Sequence, residues 1–567
     1  MPPEPPDAPR PQARDVTLWI ALLLSLGSLV WRASSLDAYW LNPDEGLYHE
    51  IVTNPSTDVV RRTIRLHPHP PLFYWSLWSL SPSPDGSDIA LLRWPALALS
   101  TLAILLAYVL GRQLRDGWAG LALAGLVAIS PAVHEQSLVI RQYGWVLPFL
   151  LGCATATLAA ARRGSWGWLF LAGCSLSIGL MLHYSAVLVG LVLLGTYLVL
   201  WLRPGSPIRF RLSWLLALLP VIAAGTWVWE SNLRVLLLDS EFRGKAATSW
   251  LEDEFIDDGG ELIRTTLGFF SYAFGRERLL FVMIAFVAGG VIAWRRRSFT
   301  GLGLVAAVLA GSWIFSILEI YPFGATRHSS VLIPFLAIPI ALLIRDALGR
   351  SWRVAGASLG LAAVLFFASS PLGAAIGWDD RSPWLKTVPE QAISREAIEA
   401  MREPIDGLAL RSATIFLDQQ AFAVLHPLIP ASARESSEFF GSTIRQIHWQ
   451  TSDVIVAPCW ILTVLDKSAD QSRDNELELE LVLREVAEER PELGLGSSGA
   501  PVFVIAAGWY QPWMFGFSRL KKAASDRAVA ISGVRNHRSP GGGIGIFRID
   551  FPAWQSGRAI LTAPTGD

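Results

Sequence analysis

The stretch ARRGSWGWLFLAGCSLSIGLMLHYSAVLVGLVLLGTYLVLWLRPGS, residues 161–206, decides the fold. Arg162-Arg163 opens it, Arg203 closes it, and His183-Tyr184 interrupts its middle. One tilted helix would leave the two arginine groups on opposite sides of a bilayer. Two spans of about 20 residues, each long enough for about 30 Å of hydrocarbon, return them to the same side. Arginine collects on the cytoplasmic side. The stretch therefore reads as two spans joined by a tight outer turn at His183-Tyr184.

Outward from this pair the same alternation holds. Arg10 and Arg14, Arg112 and Arg115, Arg162 and Arg163, Arg203 with Arg209 and Arg211, Arg295 to Arg297, and Arg345 with Arg350 and Arg353 fall in alternate connections. Apolar runs at 16–31, 90–111, 117–133, 143–161, 166–182, 185–202, 212–229, 279–294, 301–319, 329–344 and 354–371 predict about 11 transmembrane helices. The N-terminus is then cytoplasmic, with 1–15 as a disordered tail. The outer side receives a long loop 32–89, the His134–Gln142 connection, the His183 turn, a second long loop 230–278, the Tyr321–His328 turn and everything after 371.

Composition agrees: 52% of the 567 residues are hydrophobic and 17% charged, against about 25% charged in a soluble domain. A net charge of -1 excludes a phosphate-tracking surface, so no nucleic-acid partner is expected. Of three cysteines, Cys153 and Cys174 lie in apolar runs and Cys459 in a polar region, which gives no disulfide framework.

Residues 372–567 depart from the pattern. Charges run throughout, and short apolar segments at Ala413–Leu417, Val454–Ala457, Pro501–Ala506, Ala528–Ile531 and Gly545–Ile549 read as strands. Asn475–Glu489 reads as a charged helix and Gly541-Gly542-Gly543 as a loop before a strand. The fold class is thus an all-α polytopic membrane protein, 16–371, with a C-terminal extracytoplasmic mixed α/β domain, 372–567.

The first outer loop opens with Asp44-Glu45 and closes with His67-Pro68-His69-Pro70-Pro71-Leu72-Phe73-Tyr74-Trp75; Arg61 and Arg65 between them share a helical face. Adjacent acids, a cationic helix and aromatic anchors suit work on an anionic lipid headgroup. Asp44 has two open readings, as the cap of a helix starting at Glu45 or as a reactive carboxylate. The second loop carries Glu252-Asp253-Glu254 and Asp257-Asp258, which read as a solvated face.

The acid pair after a first span, His69 to Trp75, and Leu92-Arg93-Trp94-Pro95-Ala96-Leu97 together resemble the polyprenyl-phosphate-sugar-dependent transferases of the GT-C fold. The likeness is to the branch with the protein O-mannosyltransferases and the lipid A aminoarabinose transferases, over about residues 16–345. Ser130-Pro131, Ile140-Arg141-Gln142-Tyr143, His183-Tyr184, and Arg327-His328 with Pro334 follow in the family's order.

The resemblance implies an inverting glycosyltransferase that moves a sugar from a polyprenyl-phosphate donor to a hydroxyl of a lipid, glycan or protein acceptor on the periplasmic face of a bacterial inner membrane. Such transfer needs a base for the attacking hydroxyl and cations for the departing phosphate. Asp44 and Glu45 are the candidate catalytic residues, with the choice of base open between them. Arg327, Arg141 and Arg93 are the candidate phosphate ligands. His69, Tyr74, Tyr143, His183, Tyr184 and His328 are candidate substrate contacts. No cofactor and no metal are expected, because Asp-x-Asp spacing is absent from the loop. A transporter or lipid flippase is the competing class. It would place ionisable groups near the midplane, whereas these crowd one face.

Overall fold

The computed structural model describes residues 12–37, 39–54, 56–67, 69–80, 89–163, 165–191, 208–235, 255–348, 393–409, 414–417, 419–429, 445–449, 452–456, 502–509, 530–539 and 542–550. Two compact units are present. The first comprises Met1–Ser35, Arg65–Phe73 and Arg93–Leu385; the second comprises Leu36–Ile64, Tyr74–Leu92 and Lys386–Asp567.

The helices in chain order are α1 (Gln12–Ala33), α2 (Pro43–Thr53), α3 (Thr57–Leu66), α4 (Pro71–Ser79), α5 (Ile89–Leu114), α6 (Gly117–Ile129), α7 (Pro131–Leu138), α8 (Gln142–Arg163), α9 (Trp166–Leu182), α10 (Ile208–Val228), α11 (Gly259–Phe274), α12 (Leu279–Arg295) and α13 (Phe299–Ile317). A 3-10 turn, Arg327–Leu332, leads into α14 (Ile333–Leu336) and α15 (Ile338–Leu348).

The chain is a multi-pass membrane protein. Among the described residues, 6 helices are long and apolar enough to cross a bilayer, or 7 if the α6–α7 pair is one span. Helix α1 shows the reason. Trp19, Leu23, Leu26 and Val30 form an exposed stripe, while Ala21, Ser25, Ser28 and Arg32 are buried. Large apolar side chains thus face outward and small or polar ones pack inward, as lipid solvation requires.

Three expected spans take a different form. The 117–133 run bends by 60° where α6 ends, because Ser130 caps α7 and Pro131 occupies its first turn. The 166–182 run is a 17-residue helix, short of a full span by length. The 329–344 run starts as a 3-10 turn. The expected runs at 185–202, for most of its length, and 354–371 lie outside the described residues.

Arg345, at the end of α15, donates to Asp116, in the α5–α6 connection, at 2.6 Å. Arg296, just after α12, pairs with Asp346 at 3.0 Å. These connections share one end of the bundle, as the arginine alternation requires. At the other end, Ser130 Oγ donates to Ala273 O at 2.7 Å. The Tyr321–His328 turn there uses Gly324 at φ 130°, with Thr265 against its open side; a side chain would be strained.

In the second unit, α16 (Arg395–Ala409) and α17 (Gln419–Leu425) accompany six strands: β1 (Thr414–Leu417), β2 (Arg445–Trp449), β3 (Ser452–Val456), β4 (Val502–Trp509), β5 (Ala530–Ser539) and β6 (Gly542–Asp550). Their order is β2-β3-β1-β4-β6-β5. Strand β1 runs parallel to β3 and β4, and the other pairs are antiparallel. Ile415, Leu417, Val454, Phe503, Ile505, Ile544 and Ile546 are buried at alternate positions, the period of one sheet face. On α16, Ile398, Met401, Ile405 and Leu408 are buried at helical spacing.

Gly542 and Gly543 pair with Trp509 and Gly508 inside the sheet, which corrects the loop expected there. The partner strand, not local glycine preference, decides their state. The Asn475–Glu489 helix lies outside the described residues.

Candidate active site

In the second unit, α2 carries the acid pair. Asn42, extended at φ -78° and ψ 167°, is its N-cap. Its side chain accepts from Glu45 N at 2.9 Å, and Glu45 Oε2 accepts from Asn42 N at 3.1 Å. This is a capping box, with Pro43 in the first turn, where its missing N–H costs nothing. The cap is therefore Asn42 and not Asp44, and the helix begins at Pro43 and not Glu45. Glu45 is fully buried in this reciprocal bond, whereas Asp44 is half-buried. Tyr74 is fully buried edge-on against Tyr48, with ring centroids 5.7 Å apart, so it packs the core beside this helix.

In the first unit, four connections converge. His67 and His69 stand 5.4 Å apart by ring centroids, and His69 lies 5.6 Å from His183. His183 follows the last residue of α9, in the expected turn. Ser185 N donates to His183 Nδ1 at 3.1 Å, with Ser185 Oγ 2.8 Å away. An Nδ1 that accepts is unprotonated, so the neutral ring carries its proton on Nε2. Tyr143, in the first turn of α8, lies edge-on to His183 at 4.7 Å, and its hydroxyl is 3.0 Å from His328 Nδ1. Tyr321 OH donates to His328 O at 3.3 Å.

Two guanidiniums belong to this cluster. Arg141, immediately before α8, is buried; burial and the charge of Arg327 hold its pKa well below the usual guanidinium range, opposed by Tyr143 and Tyr272. Arg327 opens the last span among the described residues. Burial first, and then Arg327, lower His69 to about 3. Burial, His69, Arg327 and Arg141 push His183 down in the same direction. Both imidazoles are therefore neutral at ordinary pH, and the positive field comes from the arginines. Arg93, in the second turn of α5, is buried too.

Tyr184 donates to Asn232 Oδ1. Asn232 Nδ2 in turn donates to His67 O at 2.7 Å and Arg65 O at 3.1 Å. Asn232 comes from a π-helical turn, Trp229–Leu233, that continues α10. The tyrosine thus holds the backbone of the histidine segment through an asparagine. Asn232, Tyr272, Tyr321 and Gln136 were not singled out by the sequence. Gln136 Nε2 donates to Tyr272 OH at 3.3 Å, a contact between α7 and α11 with no local signal. Asn232 has one weak signal, a polar residue just past an apolar run. Among the described residues, no group of three or more His, Cys, Asp or Glu side chains is gathered as metal ligands would be.

The family model for dolichyl-phosphate-mannose-protein mannosyltransferase matches residues 68–229. That stretch contains His69, Arg93, Arg141, Tyr143 and His183. Among curated proteins no sequence matches the chain. Solved structures with a similar course include ArnT from Cupriavidus metallidurans in the apo state, at 13% identity and TM-score 0.49, covering 94% of this chain and 98% of that one. ArnT from the same organism bound to undecaprenyl phosphate is 14% identical, at TM-score 0.44, with 93% and 98% covered. The Archaeoglobus fulgidus oligosaccharyltransferase in complex with zinc and sulfate is 14% identical, at TM-score 0.42, covering 72% of this chain. The present chain spans 61% of that oligosaccharyltransferase.

Proposed function

We propose that the protein is an integral-membrane inverting glycosyltransferase that moves a sugar from a polyprenyl-phosphate donor to an acceptor hydroxyl. The observation that carries this reading is the gathering of Arg141 and Arg327, close enough to act on one another, among the neutral rings of His69 and His183. Two guanidiniums held together raise each other's energy, and an anion bound between them relieves it. A departing lipid phosphate is such an anion. Neutral imidazoles and the hydroxyl of Tyr143 add hydrogen bonds without adding charge. The family match over residues 68–229 supports the same chemistry.

In this reading the two acids take different roles: Glu45, bonded in the capping box, fixes the backbone that presents Asp44, and Asp44 is the base. An ordinary aspartate is a weak base toward an alcohol, and its proton transfer comes late, as the attacking oxygen loses charge to the anomeric carbon. Displacement in one step inverts that carbon, and Arg141 and Arg327 are the proposed ligands of the phosphate released.

The ionisable groups lie at helix ends: Arg141 before α8, His183 after α9, Arg327 opening the span Arg327–Leu348. This suits reaction at the membrane surface better than passage through it. In this reading the site faces the periplasm from a bacterial inner membrane, with the N-terminus cytoplasmic and the C-terminal domain periplasmic.

The test is incubation of detergent-purified protein with radiolabelled polyprenyl-phosphate sugars, comparing wild type with Asp44→Asn, Glu45→Gln and Arg327→Gln. Expected are loss of transfer in Asp44→Asn, loss of donor affinity in Arg327→Gln, and partial activity in Glu45→Gln, whose amide keeps an acceptor for the cap. Undiminished transfer by both Asp44→Asn and Arg327→Gln sinks the reading.

A further inference from the structure

We propose that the C-terminal domain positions the reactive acid: α17 and the turn after it set where α2 stands, and through α2 the carboxylate of Asp44. This rests on the reading of Asp44 as the base.

Helix α2 is held at three heights, each time by residues 393–426. Before the cap, Trp40 N donates to Ile393 O at 2.8 Å and Trp40 Nε1 donates to Val424 O at 2.8 Å. Tyr39 bridges Ser394 in antiparallel register. Arg395 lies over the Trp40 ring at 5.7 Å and 3.6 Å from Asp37. In the first turn, Gly46 meets the backbone of α17. A Cβ added there would fall 2.2 Å from Ala423 O and 2.4 Å from Ala423 C. Only a hydrogen fits, and the obstacle is a carbonyl that cannot rotate away. In the second turn, His49 Nδ1 lies 3.3 Å from His426 Nδ1, both rings buried. Two facing Nδ1 atoms attract only when one carries a proton and the other does not, so the pair selects one tautomer on each side.

These contacts join positions up to 384 residues apart in sequence. They bracket the first turn of α2, which carries Asp44 and Glu45, and within that turn Gly46 is next to Glu45 itself. Helix α17 is in turn part of the sheet domain, against β1 and β4. The acid helix is thus built onto the α/β domain by its own backbone. That gives the domain a catalytic duty: displacing α2 by about 1 Å moves the base out of reach of the attacking hydroxyl, at a cost of about 10²-fold in rate. His426, Ala423 and Gly46 are positioning residues, since none need touch substrate.

The experiment uses the full-length protein and measures kcat, KM for the lipid donor and Kd for polyprenyl phosphate in Gly46→Val, His426→Phe, His426→Asn and Asp44→Asn. Hydrogen exchange across residues 43–53 is read on the same samples. Expected is a fall in kcat of about 10²-fold in Gly46→Val and of at least about 10-fold in His426→Phe. KM and Kd stay within about two-fold, exchange across α2 quickens, and His426→Asn, whose amide replaces Nδ1, recovers most of kcat. If Gly46→Val does not fold, His426→Phe and its asparagine rescue decide the matter. Unchanged kcat and exchange in a folded His426→Phe, with Asp44→Asn inactive, overturns the positioning role and leaves the glycosyltransferase reading standing. Full activity of Asp44→Asn overturns the assignment of the base, and this proposal with it.

Discussion

The hydroxyl of Tyr143 lies 3.0 Å from Nδ1 of His328, joining the first turn of α8 to the 3-10 turn Arg327–Leu332, 185 residues later. It ties the segment that carries Arg141 to the one that carries Arg327. Tyr143→Phe keeps the ring against His183 and removes the bonds its hydroxyl makes, to His328 and to Arg141. A neutral hydrogen bond contributes about 1 kcal/mol, so binding of polyprenyl phosphate, followed by titration calorimetry, is expected to weaken about five-fold. Loss of all binding would mean that the hydroxyl does more than hold the two segments together.

Arg327 and Arg141 are expected to differ from ordinary surface cations in their response to lysine. A planar guanidinium makes paired bonds to phosphate, and a lysine offers only a point charge. Arg327→Lys should lose about 10-fold in donor affinity and Arg327→Gln about 10²-fold, from about 1.5–3 kcal/mol per charged hydrogen bond. Donor-binding titrations at two salt concentrations check this.

His69 yields a prediction about acid. Its folded pKa is about 3, against an unfolded value near 6.5, so between these limits the unfolded chain binds more protons. Stability contributed by the neutral ring is complete above about pH 6.5 and is lost as pH falls toward about 3. His69→Gln should therefore show a shallower fall of Tm on acidification than wild type, read by thermal unfolding in detergent. A steeper fall would contradict a neutral ring.

Asn232→Ala removes the link from Tyr184 to the carbonyls of His67 and Arg65. Leaving buried polar groups without a partner costs about 1–3 kcal/mol each. Expected are a lower Tm and faster hydrogen exchange across 65–69, with weaker donor binding. Asn232→Asp should not restore the wild-type state, because it keeps the acceptor for Tyr184 and removes the donor to the carbonyls.

Much of the first unit is legible without coordinates because lipid imposes a simple rule: long apolar runs and arginines at alternate ends. The ion pairs of Arg345 with Asp116 and Arg296 with Asp346 agree with that arrangement. The gathering of His69, Arg141, Tyr143, His183 and His328 was legible only as a shared side, since sidedness follows from parity while distance does not. Asn42 and Asp44 are both good cap residues two positions apart, and local preference does not choose between them. The choice fell to the reciprocal bond with Glu45.

The sequence by itself determined a polytopic membrane protein, the face on which its polar residues collect, and a strand-bearing C-terminal domain, since each follows from local hydrophobicity and charge. Tertiary structure alone decided that Asn232 holds the histidine segment through Tyr184, and that the helix of Asp44 is seated on Ala423 and His426. Those outcomes depend on groups meeting across 48 to 377 residues of chain, and no periodicity within either partner records them.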